Sequence, residues 1–472
     1  MPGRIFGIRP SVALSTLALL CASPGAIADG PDSLPPEPQP AVTWDGDLAT
    51  IEWTEPLRDE KAADGEVPFS ILTGPYLGWL TPDSAVIGWE VVAEKKLTER
   101  PYASLSGNYV LDRMQFRSAK LNDLKPDTVY RYRLRSPGDG FRLKSPEFEF
   151  RTLPPPDSKV VRFALIGDTQ RHAAAPWTDI NQRLYADIIE WDPPLVLHVG
   201  DIVYDSWGAS INGRKGWFRV MNLMRPLRAR AFLAPGLGNH DIHPDRAIWP
   251  PSYFRDIPVK TNAAGSSRPP FYYSFDVGHV HFVALCTEVG AGRDFDRTRR
   301  LYDSFTYDEQ LAWLDENLKS TRAVWKVVHF HQPLHTTGGY PAPQVIREDF
   351  GRLFDKHGVQ LVLSGHDHSY QRTWRIDNAT RERADDGSVQ VVSGGASNLF
   401  PSRGPQTWNV LHTKVHHYCR VTIDGDEARI ETIRDSGEAL ESWKLPLVGQ
   451  PETIVKYVPR GDDETDGRKI NE

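Results

Sequence analysis

The stretch Val359-Gln360-Leu361-Val362-Leu363-Ser364-Gly365-His366-Asp367-His368 decides how this chain is read. Its first part is short, rich in aliphatic and β-branched residues, and bounded by Gly on both sides, which predicts a buried strand. Two imidazoles at i and i+2 just past a strand end can each face one of two adjacent metal ions. Four further polar clusters hold the same position relative to apolar runs. Asp168 follows Phe163-Ala164-Leu165-Ile166-Gly167. Asp201 and Tyr204 follow Leu197-His198-Val199-Gly200. Asn239-His240-Asp241 comes after Phe232-Leu233-Ala234-Pro235, and His331 after Trp325-Lys326-Val327-Val328. Open α/β sheets bind their ligands beyond the carboxyl ends of the strands. Five such clusters therefore predict one convergent site.

Around that site the rhythm from Lys159 onward is strand, polar cluster, helix. Strands are expected at Val160–Ile166, Leu195–Val199, Ala231–Ala234, Trp325–Phe330 and Gln360–Leu363. Helices are expected at Ile180–Trp191, Trp217–Leu227, Tyr307–Leu318 and Val345–Lys356. Phe271–Phe275 and His279–Leu285 read as a hairpin turned at Val277-Gly278. Ser388–Val392, His417–Ile423 and Ala428–Ile433 read as late strands, the last two joined through Asp424-Gly425-Asp426. This predicts an α/β domain over residues 158–445, a layered α/β/β/α sandwich with mixed sheets.

Upstream, residues 67–153 show short alternating runs between turn signals, such as Val129-Tyr130-Arg131-Tyr132-Arg133-Leu134, which predicts a small all-β sandwich. Its Leu124…Pro126…Thr128…Tyr130 segment resembles the tyrosine-corner region of fibronectin type III-like domains. Pro154-Pro155-Pro156 marks the expected boundary. Residues 29–66 are a Pro-rich linker followed by a polar, ambiguous segment. Residues 446–472, with Asp462-Asp463-Glu464-Asp466, read as a polar acidic tail without core.

Residues 1–28 have a basic start (Arg4, Arg9), an apolar stretch from Val12 to Ala22 and a small-residue site at Ala26-Ile27-Ala28. That pattern predicts a signal peptide cleaved near Ala28, and hence an exported (periplasmic or extracellular) protein. The apolar stretch is too short to span a bilayer, and no later one is long and apolar enough. Cleavage removes two Arg and no acid, which moves the formal charge from −7 to −9 and argues against nucleic acid as the main partner. Cys286 and Cys419 remain, each within an apolar run, where they read as small buried hydrophobes; a disulfide between them cannot be read from sequence. At 472 residues the chain exceeds one ordinary core, so two domains are expected.

The donor inventory sets the chemistry. Asp168, Asp201 and Tyr204 offer anionic oxygens, Asn239 a neutral carbonyl, and His331, His366 and His368 imidazoles. Such mixed nitrogen and oxygen donors suit iron, zinc or manganese rather than calcium. Seven side chains, one of them bridging, serve two ions with four protein donors each. Two ions about 4 Å apart activate water and clamp a phosphoryl group for in-line attack. No Gly-x-Ser-x-Gly elbow is present, which leaves a Ser-His-Asp hydrolase without its nucleophile.

The ordered set Gly167-Asp168, Gly200-Asp201-Ile202-Val203-Tyr204, Gly238-Asn239-His240-Asp241, Val328-His329-Phe330-His331 and Gly365-His366-Asp367-His368 resembles the calcineurin-like metallophosphoesterases, and most closely their purple acid phosphatase branch. The resemblance covers roughly residues 65–440. Many members carry Asp-x-His in the first motif, where this chain has Asp168-Thr169-Gln170. Gly-Asp-x-x-Tyr is the branch pattern, and a phenolate is a hard donor that suits iron(III). The resemblance implies that Asp168, Tyr204 and His368 hold Fe(III), with Asp201 bridging. Asn239, His331 and His366 hold a divalent partner (Fe, Zn or Mn). The choice of His331 over His329 rests on the Gln332-Pro333 that follows it. His240 is expected to contact the substrate phosphate or protonate the leaving alkoxide, and His335 is a further candidate acid. Gln170 faces either a metal or a bound oxyanion.

The implied activity is that of a metal-dependent phosphoric ester hydrolase, acting on small phosphate monoesters by direct attack of a metal-bound hydroxide. A phosphodiesterase or nucleotide pyrophosphatase on the same metal pair is the alternative, and residues 287–306 are candidates for the cleft wall that decides access. A non-catalytic surface binding module with a relic site is the remote alternative, disfavoured by intact donors at all seven positions. The oligomeric state is not legible.

Overall fold

Leu361–Ser364 is a strand with all four residues buried, at the centre of a seven-stranded sheet. The computed structural model describes residues 40–52, 69–93, 114–135, 145–170, 178–204, 211–242, 249–288, 297, 300, 304–447 and 453–458. Residues 1–28, read as a signal peptide, most of the segment read as linker, the acidic cluster at 462–466 and much of 287–306 lie outside them.

The central strand is flanked in parallel by Trp325–His329 and Val389–Ser393, with Val328 and Gln390 as the partners of Val362. Val280–Ala284 adds in parallel beyond Trp325–His329, and Tyr273–Val277 closes that edge as an antiparallel hairpin. Tyr370–Thr373 and Asn409–Thr413 extend the other edge antiparallel. Parallel strands buried on both faces need continuous apolar runs, which is what Leu-Val-Leu and Val-Val-His provide here.

A second seven-stranded sheet runs Phe232–Gly236, Leu195–Val199, Val160–Ile166, His417–Asp424, Glu427–Arg434, Ala439–Pro446, Thr453–Tyr457. Its first three strands are parallel and the rest antiparallel. The sheets pack face to face, with Leu195–Val199 against Trp325–His329 and Phe232–Gly236 against Val280–Ala284. Phe163 meets Phe282 edge-on across this interface at 5.2 Å.

Helices follow their local signals. Tyr307–Ser320 opens with a capping box, in which the Glu309 N–H donates to Thr306 Oγ1 at 3.1 Å and the Thr306 N–H to Glu309 Oε2 at 2.8 Å. Gln344–His357 ends at Gly358, whose φ of 62° is the left-handed stop that glycine allows. The two helices meet through Tyr307 and Phe350, and Phe350 and Phe354 pack on Phe330 beside the first sheet. The helix expected over Trp217–Leu227 is two pieces, Ile211–Leu223 and Arg225–Arg228. Pro226 lacks the N–H that would continue the first helix and instead sits in the opening turn of the second.

The N-terminal residues form a four-stranded sheet (Ala41–Asp45, Leu48–Glu52, Val129–Arg135, Phe148–Arg151) and a three-stranded one (Phe69–Leu80, Ala85–Ala93, Met114–Leu121). Two strands thus lie within the segment read as linker and ambiguous. Their hairpin turns at Asp45-Gly46-Asp47, with Gly46 at φ 61°. The segment read as a coreless tail contains the edge strand Thr453–Tyr457. Apolar packing runs on from these sheets into the α/β part. Trp79 lies edge-on to Phe232 at 5.0 Å, and Tyr132 donates from its hydroxyl to the Ala229 carbonyl at 2.9 Å. Cys286 and Cys419 are buried and are not joined in a disulfide.

Candidate metal centre

Three of the strand ends deliver their side chains through a backbone that few residues tolerate. Asp168, Asp201 and His366 stand at φ 56°, 52° and 68°. Left-handed backbone at non-glycine residues is costly and concentrates at functional sites. The neighbouring glycines make room: a Cβ on Gly238 would collide with Asp201 Oδ1, and one on Gly365 with Asp168 Oδ2.

Asp201 is the hub. Its Oδ2 lies 3.2 Å from His331 Nε2 and 3.9 Å from His240 Nε2, and its Oδ1 accepts the His240 N–H at 2.9 Å. His331 Nε2 is also 3.2 Å from Asn239 Oδ1 and 3.2 Å from His366 Nδ1. On the other side His368 Nε2 lies 3.4 Å from Asp168 Oδ1 and 3.2 Å from Gln170 Nε2. Donors around an ion at about 2.1 Å stand about 3.0–3.4 Å apart for right-angled to tetrahedral geometry. The observed spacings fall in that range. Two donor groups result, Asp201/His331/His366 and Asp168/Asp201/His368, with Asp201 common to both.

Electrostatics agree with this arrangement. Burial opposes the Asp201 charge, but the His331 imidazole outweighs it and holds the carboxyl below the usual range. Burial likewise opposes charge on His331, and Asp201 outweighs it, so the imidazole is raised well above its usual value. A proton shared by such a pair is what a metal ion displaces on binding. Burial, aided by His331, pushes His366 down to about 3 and keeps its ring neutral, the form that ligates.

The groups share a cleft of about 330 Å³ lined by Gln170, Asp201, Tyr204, Asn239, His240, Tyr340, His366, His368, Ser397, Asn398 and Phe400. Tyr204 stacks on His240 with centroids 4.8 Å apart. Phe400 stacks on His368 at 4.3 Å, and Tyr340 stands 4.9 Å from His366. Tyr340, Ser397, Asn398 and Phe400 come from loops without a motif, and the sequence reading missed them.

Two aspartates quoted in the motifs without a role prove to be braces. Asp241 accepts the N–H of Val203 at 3.0 Å and of Gly238 at 2.9 Å, tying the loop of Asp201 and Tyr204 to that of Asn239. Burial, then the Asp201 charge, pushes its carboxyl up to about 8. Asp367 accepts from the Thr336 hydroxyl and, at 3.2 Å, from the Tyr340 N–H. It fixes the loop that carries Tyr340.

His335 does not reach the cleft. Gln390 Oε1 accepts the N–H of Leu334 at 2.8 Å and of His335 at 3.1 Å, and this pins the loop so that the ring turns inward. It lies 5.7 Å from Trp408 and is 2% exposed. Burial pushes its imidazole down to about 3, which removes it as a proton donor at ordinary pH. The candidate acid read from sequence is thus a core residue. His329, passed over as a ligand, is fully buried 6.4 Å from Tyr273.

Residues 161–370 match the calcineurin-like phosphoesterase family. The chain carries a calcineurin-like phosphoesterase domain. Relatives that match it are purple acid phosphatases. Purple acid phosphatase 23 of Arabidopsis thaliana is 28% identical over 379 residues, 69% of this chain and 77% of that protein. Acid phosphatase type 7 of Homo sapiens is 26% identical over 382 residues, 73% of this chain and 81% of that protein. Among solved structures, purple acid phosphatase PPD1 from yellow lupin (Lupinus luteus) seeds superposes with a TM-score of 0.59 at 18% identity. The match covers 79% of this chain and 74% of that one, and at that identity it speaks for the fold. In this phosphoesterase domain no helix among the described residues is long and apolar enough to cross a membrane.

Proposed function

We propose that the chain is an exported binuclear-metal phosphatase that transfers the phosphoryl group of small phosphate monoesters directly to water. The observation that carries this reading is the single buried carboxylate, Asp201, shared by two donor groups in one cleft. In this reading Asp168, Tyr204 and His368 would hold Fe(III), Asn239, His331 and His366 would hold a divalent Fe, Zn or Mn ion, and Asp201 would serve both. Such a pair lowers the pKa of water and neutralises charge on the phosphoryl oxygens. The chain's own part is to hold the donors and to supply a proton. His240 is read as the proton donor, a role supported by its ring lining the cleft and by its backbone N–H, donated to Asp201. Asn239 and Tyr204, held by Asp241 through their loops, keep the two halves in register.

The N-terminal sheets are read as a fibronectin type III-like sandwich. The Lys125 N–H donates to the Tyr130 hydroxyl at 2.9 Å, a tyrosine bonded to backbone five residues upstream, which supports this. Export rests on the signal-peptide pattern of residues 1–28.

Two measurements test the assignment. An aryl phosphate monoester is expected to turn over faster than the matching diester from acid to neutral pH. A faster diester rate would move the substrate class to diesters or nucleotide pyrophosphates on the same donor set. Iron-loaded protein is expected to show a visible charge-transfer band that disappears in Tyr204→Phe; a band unchanged in the variant removes the phenolate from the ligand set.

A further inference from the structure

Gln170 is 4% exposed, lines the cleft, and carries a buried Oε1 without a hydrogen-bond partner. Its Nε2 lies 3.2 Å from His368 Nε2, a contact between two nitrogens. A hydrogen bond there requires His368 Nε2 to present its lone pair to Gln170. In the metal centre proposed above, that lone pair belongs to the ion. The carboxamide then has a donor without an acceptor on one side and a buried acceptor without a donor on the other. Turning it about its last torsion resolves the first conflict: the oxygen comes to lie near 3.2 Å from His368 Nε2, the spacing of neighbouring donors on one ion. Which carboxamide atom is oxygen is an assignment that depends on the partner present.

The backbone supports the position. The Gln170 N–H donates to the Asp201 carbonyl at 2.9 Å, and its own carbonyl accepts from Ser397 Oγ at 3.3 Å. The residue is therefore anchored from both sides, two positions from one member of the Asp168/Asp201/His368 group and bonded to the backbone of another. Where many members of the resembled family carry an imidazole, this chain carries a neutral carboxamide held by the fold.

We propose that Gln170 is a further ligand, through its carboxamide oxygen, of the metal ion held by Asp168, Asp201 and His368. The proposal rests on the metal-centre reading, and its test separates the two. Full-length protein, Gln170→Ala and the near-isosteric Gln170→Glu are loaded with iron and zinc. Metal per chain is counted, affinity is measured by competition with a chelator, and the visible band is recorded. Removing the donor in Gln170→Ala is expected to weaken one of the two ions by about 10–100-fold, the range seen when support of a metal site is lost. Gln170→Glu is expected to keep both ions and to move the band to shorter wavelength, because an anionic donor raises electron density on the iron. A merely structural role for Gln170 leaves the band where it is. Wild-type affinity and an unmoved band in both variants overturn the proposal while the metal centre stands. A wild-type protein that binds no metal overturns both.

Discussion

Asp201→Asn is expected to lose phosphoesterase activity by on the order of 10³ or more, about 4 kcal/mol of transition-state stabilisation. The substitution is isosteric, so the His240 N–H, donated to Oδ1 at 2.9 Å, keeps an acceptor and the loop keeps its place. What changes is charge and denticity. Asp201 is the one residue common to both donor groups. An amide offers one oxygen, so it can serve one group and must turn an N–H toward the other. The His331 imidazole also loses the charge that lies 3.2 Å from its Nε2 and raises its pKa. Folding serves as the control: thermal unfolding close to wild type with activity gone assigns the loss to the site. Retention of more than about a tenth of wild-type activity would contradict a bridging role.

The second large effect is on stability. Arg372 and Glu441 form an ion pair at 2.6 Å with both side chains fully buried. Glu441 Oε2 also accepts from the Tyr370 hydroxyl at 2.7 Å and from Arg372 Nε at 3.2 Å, and the guanidinium lies 4.6 Å above the Trp443 ring. Tyr370–Thr373 begins two residues after His368, so this network braces the strand that leaves the histidine loop. Breaking one side of a buried pair strands the other charge, which costs about 3–5 kcal/mol. Glu441→Leu is therefore expected to lower the urea midpoint strongly. The double variant Arg372→Met/Glu441→Leu is expected to recover most of the loss, because no charge is left unpaired. A Glu441→Leu midpoint like that of wild type would contradict the pair.

The residues that sequence reading found are those whose position is encoded locally. Asp168, Asp201, Asn239 and His366 each follow a Gly after a short apolar run, Tyr204 and His368 come two or three residues later, and His331 lies just past Trp325–His329. A parallel sheet necessarily brings such ends together. The late hairpin at Asp424-Gly425-Asp426 was equally plain, because Gly425 supplies the positive φ that the turn demands.

What was not legible depends on contacts between distant segments. His335 reads from sequence as a further candidate acid. Its direction is set by Gln390, fifty-five residues away. Tyr340 and Phe400 enter the cleft because Asp367 and the His368 carbonyl hold their loops, the latter accepting the Phe400 N–H at 2.9 Å. Neither loop carries a signal of its own. The strands Ala41–Asp45 and Leu48–Glu52 were hidden by their Pro-rich surroundings, although Asp45-Gly46 between alternating runs is a hairpin signal.

The central claim is that one cleft holds two ions through a shared carboxylate. Elemental analysis of the full-length protein after loading with iron and zinc tests it most directly. Two ions per chain are predicted, falling to one or fewer in Asp201→Asn. A wild-type stoichiometry of one, or two ions retained in the variant, would contradict the shared-carboxylate centre.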